Sequence, residues 1–334
     1  MRGQGYGEDW LGARSVWRHN ARMAVRKRMG GLLARGFFEG SARMAGLLPA
    51  AQPARHGVRV VKDVPYGDAP HQRLDVYMPE HPHGRPPAVL YIHGGGFSIL
   101  SKETHWVMGL AFARRGYVVF NIDYRLAPKH RFPAAVDDVA MAYAWLCGAA
   151  QRYGADVQRL VLAGESAGAN LASVVAICAA ASRPEAAART VYETGVVPRA
   201  VVAKCGMLQV TDAARFRRQE PTMSSFINER ILEVERSYLG EGAQHSAVPL
   251  ANPLLLLEDA QAFERPLPPF FLSVGTHDPI VDDTRRAERA LSRLGVRHEA
   301  RYYEGERHAF QAFVFRKQAK QCWRDTYAFL DAVL

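Results

Sequence analysis

Cysteine is scarce in this chain of 334 residues, and Cys147, Cys178, Cys205 and Cys322 stand far apart. That spacing argues against a disulfide scaffold and against a Cys-x-x-Cys metal site, and it points to reduced thiols. No apolar run approaches the roughly 18 to 20 residues that cross a bilayer, and the first residues lack the uninterrupted apolar core of a secretory leader. The expected location is therefore cytoplasmic. The chain also has no nucleotide-binding P-loop, no His-Glu-x-x-His zinc site and no internal repeat. Zinc-finger spacing, RNA-binding aromatic signatures and a basic zipper are absent too, so a net charge of +10 and a pI near 9.6 are not read as nucleic-acid binding.

The most informative stretch is Val161-Leu162-Ala163-Gly164-Glu165-Ser166-Ala167-Gly168-Ala169-Asn170, where an apolar strand runs through Gly-x-Ser-x-Gly into a helix of small residues. Alone, the pentapeptide is also ordinary helix-start chemistry, with serine as N-cap and glycines as turn residues. In this strand-to-helix context it becomes a candidate nucleophile elbow, a strained turn that exposes the Ser166 hydroxyl.

Upstream, Ala88 to Ile92 reads as a buried strand ending in His93-Gly94-Gly95-Gly96-Phe97. Three consecutive glycines there offer bare backbone that can aim N–H groups at one point. Fixed donors of that kind contribute about 3 to 4 kcal/mol each to a tetrahedral transition state with a developing oxyanion. Gly95 and Gly96 are the candidate donors, joined by Ala167 beside the serine.

Downstream, Phe270 to Gly275 reads as another strand, followed by Thr276-His277-Asp278-Pro279. Ala287, Ala290, Leu291 and Leu294 recur at helical spacing, with Asp282 or Asp283 available to cap the start and Gly295 to close the end. Val296 to Tyr303 offers a further strand, after which Glu304-Gly305-Glu306-Arg307-His308 turns. Asp278 and His308 are thus separated by one strand-helix-strand unit, which places both at the carboxyl ends of parallel strands, where sites in open α/β sheets collect. An unassisted serine hydroxyl is a poor nucleophile, so His308 would accept its proton and Asp278 would hold the imidazole tautomer. Among the other histidines, His93 reads as an anchor for the glycine loop and His277 as a solvent-facing residue. Asp282 and Asp283 sit nearer a helix start than a base.

With these residues in place, the chain resembles the hormone-sensitive lipase-type family of α/β-hydrolases. The resemblance rests on His-Gly-Gly-Gly at 93–96, Gly-acid-Ser-Ala-Gly at 164–168, Asp-Tyr-Arg-Leu-Ala-Pro at 123–128, and matching runs at 132–138, 278–282 and 305–310, and it covers roughly residues 57–334. It implies an α/β-hydrolase fold with an eight-stranded, mostly parallel sheet flanked by helices and a helical cap. It also implies a Ser166-Asp278-His308 triad and carboxylesterase activity on small-molecule esters of short to medium acyl chains, with no cofactor and no metal. Asp123 and Arg125 would belong to a framework beside the site, and Gly94 to the oxyanion motif. At the elbow, Glu165 departs from the Asp or Thr that the family more often carries.

The length suits one core with appended helices: residues 57–206 and 254–334 as the catalytic core, 207–253 as a cap insertion with a helix from about Asn228 to Leu239, and 1–56 as a helical cap segment. This first segment holds ten basic residues against Glu8, Asp9 and Glu39, interleaved with Trp10, Trp17, Phe37 and Phe38. Peripheral contact of residues 1–50 with anionic lipid is the alternative to a cap role. No motif speaks for or against a homodimer. Two other functions stay open at this point: amide or thioester hydrolysis by the same residues, and ligand binding without catalysis on a hydrolase scaffold.

Overall fold

The computed structural model describes residues 36, 40, 44, 46 and 48–334. Most of the basic amino-terminal segment, and with it the expected cap helices and lipid-facing residues of 1–47, therefore lies outside the described residues. Short 3-10 turns at Pro49–Ala51 and Pro53–His56 lead into the first strand.

Eight strands form one sheet: β1 (Val58–Pro65), β2 (Arg73–Pro79), β3 (Pro87–Ile92), β4 (Val118–Ile122), β5 (Asp156–Glu165), β6 (Ala200–Lys204), β7 (Phe270–Gly275) and β8 (His298–Tyr303). Their order across the sheet is β1-β2-β4-β3-β5-β6-β7-β8. β2 runs antiparallel to both β1 and β4, and every other pairing is parallel. The middle strands β4, β6 and β7 are buried at every position, as expected where helices cover both faces of a parallel sheet.

The helices are α1 (Trp106–Ala113), α2 (Ala134–Ala149), α3 (Ala167–Ala180), α4 (Ala186–Tyr192), α5 (Arg215–Gln219), α6 (Ser225–Leu239), α7 (Pro253–Asp259), α8 (Val281–Arg293) and α9 (Lys317–Val333). The period of two along each strand sorts the core into two layers. Val89, Val119, Val161 and Val202 meet α1 and α9 through Phe112, Phe329 and Leu330. Leu90, Phe120, Leu162 and Val201 meet α2, α3 and α8 through Val139, Val174 and Leu291. No helix among the described residues is long and apolar enough to cross a membrane.

Two features of this packing position the site. Helix α3 is buried along its whole length and starts against the end of β3: a Cβ on Gly168 would lie 2.0 Å from the Ile92 carbonyl oxygen, so only glycine permits this approach. Helix α8 ends as expected at Gly295, in a left-handed conformation, but its start differs from the sequence expectation. Neither Asp282 nor Asp283 caps it; Ile280 occupies the cap position without a side-chain bond. Asp283 instead turns inward, where its carboxylate accepts from the amides of Leu208 and Gln209 and from Arg215. A buried carboxylate surrounded by loop amides and a guanidinium satisfies more donors there than at an exposed helix end. The segment after β6 is thereby tied down: Asn252 Oδ1 takes the amides of Val210 and Thr211, and Asn170 Nδ2 donates to the Met207 carbonyl. Beyond it, α6 starts at Ser225, three residues before the sequence-based estimate, because Ser224 caps it by accepting from the Ile227 amide.

Candidate active site

Ser166 occupies the turn between β5 and α3 with φ 53° and ψ −115°, a backbone conformation that L-residues rarely adopt. Its amide donates to the Lys204 carbonyl at the end of β6, which helps hold the strained turn. The hydroxyl makes no capping bond to α3 and meets His308 Nε2 at 3.0 Å. The N-cap reading of this serine therefore does not describe its side chain.

His308 follows β8 and Asp278 follows β7, so the strand order delivers all three side chains to one rim of the sheet. His308 Nδ1 lies 2.8 Å from Asp278 Oδ2, and Asp278 Oδ1 accepts from the Ile280 amide at 3.0 Å. Asp278 has no exposed side-chain surface, whereas 35% of His308 stays accessible. Burial pulls the imidazole toward its neutral form, but the charge and hydrogen bond of Asp278, with the charge of Glu165, outweigh it and raise the pKa above the ordinary value. An Nδ1–H fixed on a carboxylate leaves Nε2 unprotonated and facing the serine.

The glycine loop crosses the same rim. Gly95 and Gly96 both have left-handed backbones, with φ 106° and 57°. The amides of Gly95, Gly96 and Ala167 donate to no backbone carbonyl or side chain among the described residues, and so stand free for an anion. A Cβ on Gly96 would sit 2.8 Å from Val234 of α6, so this helix packs directly on the loop. Two further contacts repeat that relation: Ser98 Oγ and Ser237 Oγ lie 2.9 Å apart, and the Phe97 and Tyr238 rings stack at 3.8 Å.

The expected supporting residues lie beneath this loop and touch none of the three side chains. His93 is fully buried, its Nδ1 against the Gly94 carbonyl and its ring stacked on Tyr124. Burial pushes its pKa down to about 3, so it is a neutral anchor. Asp123 accepts the Lys102 amide at 2.7 Å, and Arg125 binds Asp138 through both its backbone amide and Nε. Lys102 is itself buried among Asp63, Asp75 and Glu103, which ties the loop to β1 and β2. His277 is exposed, as anticipated.

Three residues with no sequence signal complete the surroundings. His105 Nε2 donates to Glu165 Oε1 at 2.8 Å, and Gln311 Nε2 donates to Glu165 Oε2 at 2.6 Å. Cys205 directly follows β6, and burial, with the nearby charges of Asp278 and Glu165, pushes its thiol well above the ordinary range. Cys205, Asp278 and His308 each bring one ligand atom to within 4.8 Å of the others, as do Asp63, Asp75 and Glu103. In the first group Asp278 and His308 already bind each other, and in the second the Lys102 ammonium fills the centre, so hydrogen bonding accounts for both.

Comparison with known proteins places this architecture. A family model described as alpha/beta hydrolase fold matches residues 89–312. Over 255 residues the chain is 29% identical to the esterase LipI of Mycobacterium tuberculosis, covering 73% of this chain and 72% of that protein. The crystal structure of EstE1, a thermostable carboxylesterase cloned from a metagenomic library, superposes with a TM-score of 0.71 at 28% identity, covering 91% and 97% of the two chains. An esterase from the bacterial hormone-sensitive lipase family superposes with a TM-score of 0.67 at 26% identity, over 90% of each chain.

Proposed function

Since the chain belongs to the alpha/beta hydrolase fold family, on its hormone-sensitive lipase branch, and is a carboxylic ester hydrolase, we propose that it cleaves short- to medium-chain acyl esters through an acyl-enzyme on Ser166. The observation that carries this reading is the unbroken relay from Ser166 Oγ to His308 Nε2 at 3.0 Å and from His308 Nδ1 to Asp278 at 2.8 Å. Ser166 Oγ attacks the ester carbonyl as His308 Nε2 takes its proton. The carbonyl oxygen, now an oxyanion, receives the free amides of Gly95, Gly96 and Ala167. Collapse expels the alcohol with the proton returned by His308, and water repeats the sequence on the acyl-serine. Asp278 keeps its charge throughout and stabilises the imidazolium.

Ser166→Ala is expected to lower turnover of a short-chain aryl ester by about four to six orders of magnitude with the fold intact. Retention of most activity by that variant would refute the assignment. The same panel run with an aryl amide separates esterase from amidase. Attack needs neutral His308, so the raised pKa puts the acid limb of kcat/KM above the usual imidazole midpoint, and activity should climb as pH rises through it. Residues 1–50 are further proposed to contact anionic lipid, on the strength of their charge and aromatic content. Equal cosedimentation with anionic vesicles of the full chain and of one lacking residues 1–50 removes that idea.

A further inference from the structure

We propose that Glu165 is a positioning residue for the catalytic imidazole: its carboxylate fastens the turn that carries His308 through Gln311, and presents a second negative charge, beside Asp278, to the ring. The inference rests on the esterase reading above and deepens it.

Glu165 is the last residue of β5, immediately before the nucleophile, and only 7% of its side chain is exposed. Both oxygens are engaged, Oε1 by His105 at the start of α1 and Oε2 by Gln311. Gln311 is fully buried in the Phe310–Ala312 turn, three residues beyond His308, and its carbonyl takes the Trp323 indole N–H of α9 at 3.2 Å. One carboxylate therefore spans the elbow, the turn holding the base and the segment that returns from the glycine loop. The reach matters: an aspartate, one methylene shorter on the same backbone, cannot keep both partners.

The charge is retained. Burial raises the proton affinity of the carboxyl, but the His105 and Gln311 bonds more than offset it and hold the pKa below the ordinary value. The other titratable groups near the Glu165 carboxylate come from the neighbouring strands. Cys205 just after β6, Tyr91 in β3 and Tyr124 after β4 are all pushed well above their ordinary values and stay neutral. Glu306, on the turn before His308, is paired with Arg316 at 3.1 Å. His105 is already bonded to Glu165. Asp278 and Glu165 are thus the carboxylates that act on the imidazole.

The two roles separate experimentally. In Glu165→Gln the reach survives, because Gln311 Oε1 is buried without a partner and the Gln311 amide can turn over to accept from the new amide N–H. In Glu165→Asp the charge survives and the reach does not. With a short-chain aryl ester, Glu165→Gln is expected to move the acid limb of kcat/KM down by about half a pH unit to one unit. Glu165→Asp is expected to leave that limb in place and lower kcat by roughly tenfold or more, with KM little changed. Thermal melting checks that each variant is folded. An unmoved limb in Glu165→Gln, or wild-type kcat in Glu165→Asp, overturns the corresponding half of the proposal. Should either Glu165 variant fail to fold, Gln311→Met cuts the same bridge from the other side, and undiminished kcat in it overturns the positioning role. Ser166→Ala run alongside keeps the cases apart: turnover in that control defeats the esterase mechanism itself, whereas an inactive control with wild-type-like Glu165 variants defeats this inference alone.

Discussion

Asp123 is charged against the preference of its surroundings. Burial, helped by the nearby carboxylates of Asp75 and Glu103, lifts its pKa to about 6 although the Lys102 amide and charge pull it down. A carboxyl whose folded pKa lies above its unfolded value binds protons more tightly when folded, so its ionisation subtracts stability between about pH 4 and pH 6. Asp123→Asn keeps an oxygen for the Lys102 amide and removes that charge. It should raise the melting temperature at pH 7 to 8 and leave it nearly unchanged at pH 4, as read by calorimetry at the two pH values. At this scale sequence and structure part company in an instructive way. The meeting of Ser166, Asp278 and His308 is legible because residue types that acyl-transfer chemistry asks for stand at strand ends in the sequence. Gln311 and His105 are not, because their importance comes from one bond each to Glu165, and nothing in the spacing of Gln311 from His308 announces it. Asp283 was misleading for the opposite reason, since a carboxylate in a first helical turn has a satisfactory local use that the tertiary structure overrides.

Helix α6 braces the glycine loop. Its last two turns lay Val234, Ser237 and Tyr238 against Gly96, Ser98 and Phe97 in succession, so movement of the helix is movement of the glycine loop. The Tyr238 hydroxyl is buried with no partner among the described residues, while its ring also meets Phe132 edge-on. Tyr238→Phe should therefore match or exceed wild type in denaturant unfolding, because an unpaired buried hydroxyl is removed. Tyr238→Ala should cost about 3 to 5 kcal/mol, the usual cavity penalty for an aromatic ring. The other support of the loop is ionic. Lys102→Met would strip the cation from buried Asp75 and its neighbours, and a loss of about 3 to 5 kcal/mol is expected in the same assay. Strand legibility follows burial. β3, β6 and β7 are covered on both faces and read as apolar runs, whereas β1 is an edge strand with Arg59, Lys62 and Asp63 partly or fully exposed and a register shift between Val61 and Val64. For β1 and β2 the sheet had to be inferred from the family resemblance.

Taken as one body, the molecule shields its thiols by packing. Cys178, Cys205 and Cys322 are buried and unbridged, and only Cys147 is partly accessible. A thiol reagent applied under native conditions should label Cys147 at most, with the other three reacting together once the fold opens; mass spectrometry of pulse-labelled protein along a urea gradient checks this. Early reaction of Cys205 alone would mean that the floor of the site breathes independently of the core.

The methyl of Val234 resting on the bare α-carbon of Gly96 also sets a ceiling on how the enzyme can be diversified. A larger side chain at 234 would press on the Gly96 backbone, so libraries screened for larger acyl groups should return survivors with valine or smaller there. Variety would have to enter at the opposite end of the helix, where Phe226 and Ile227 already face outward.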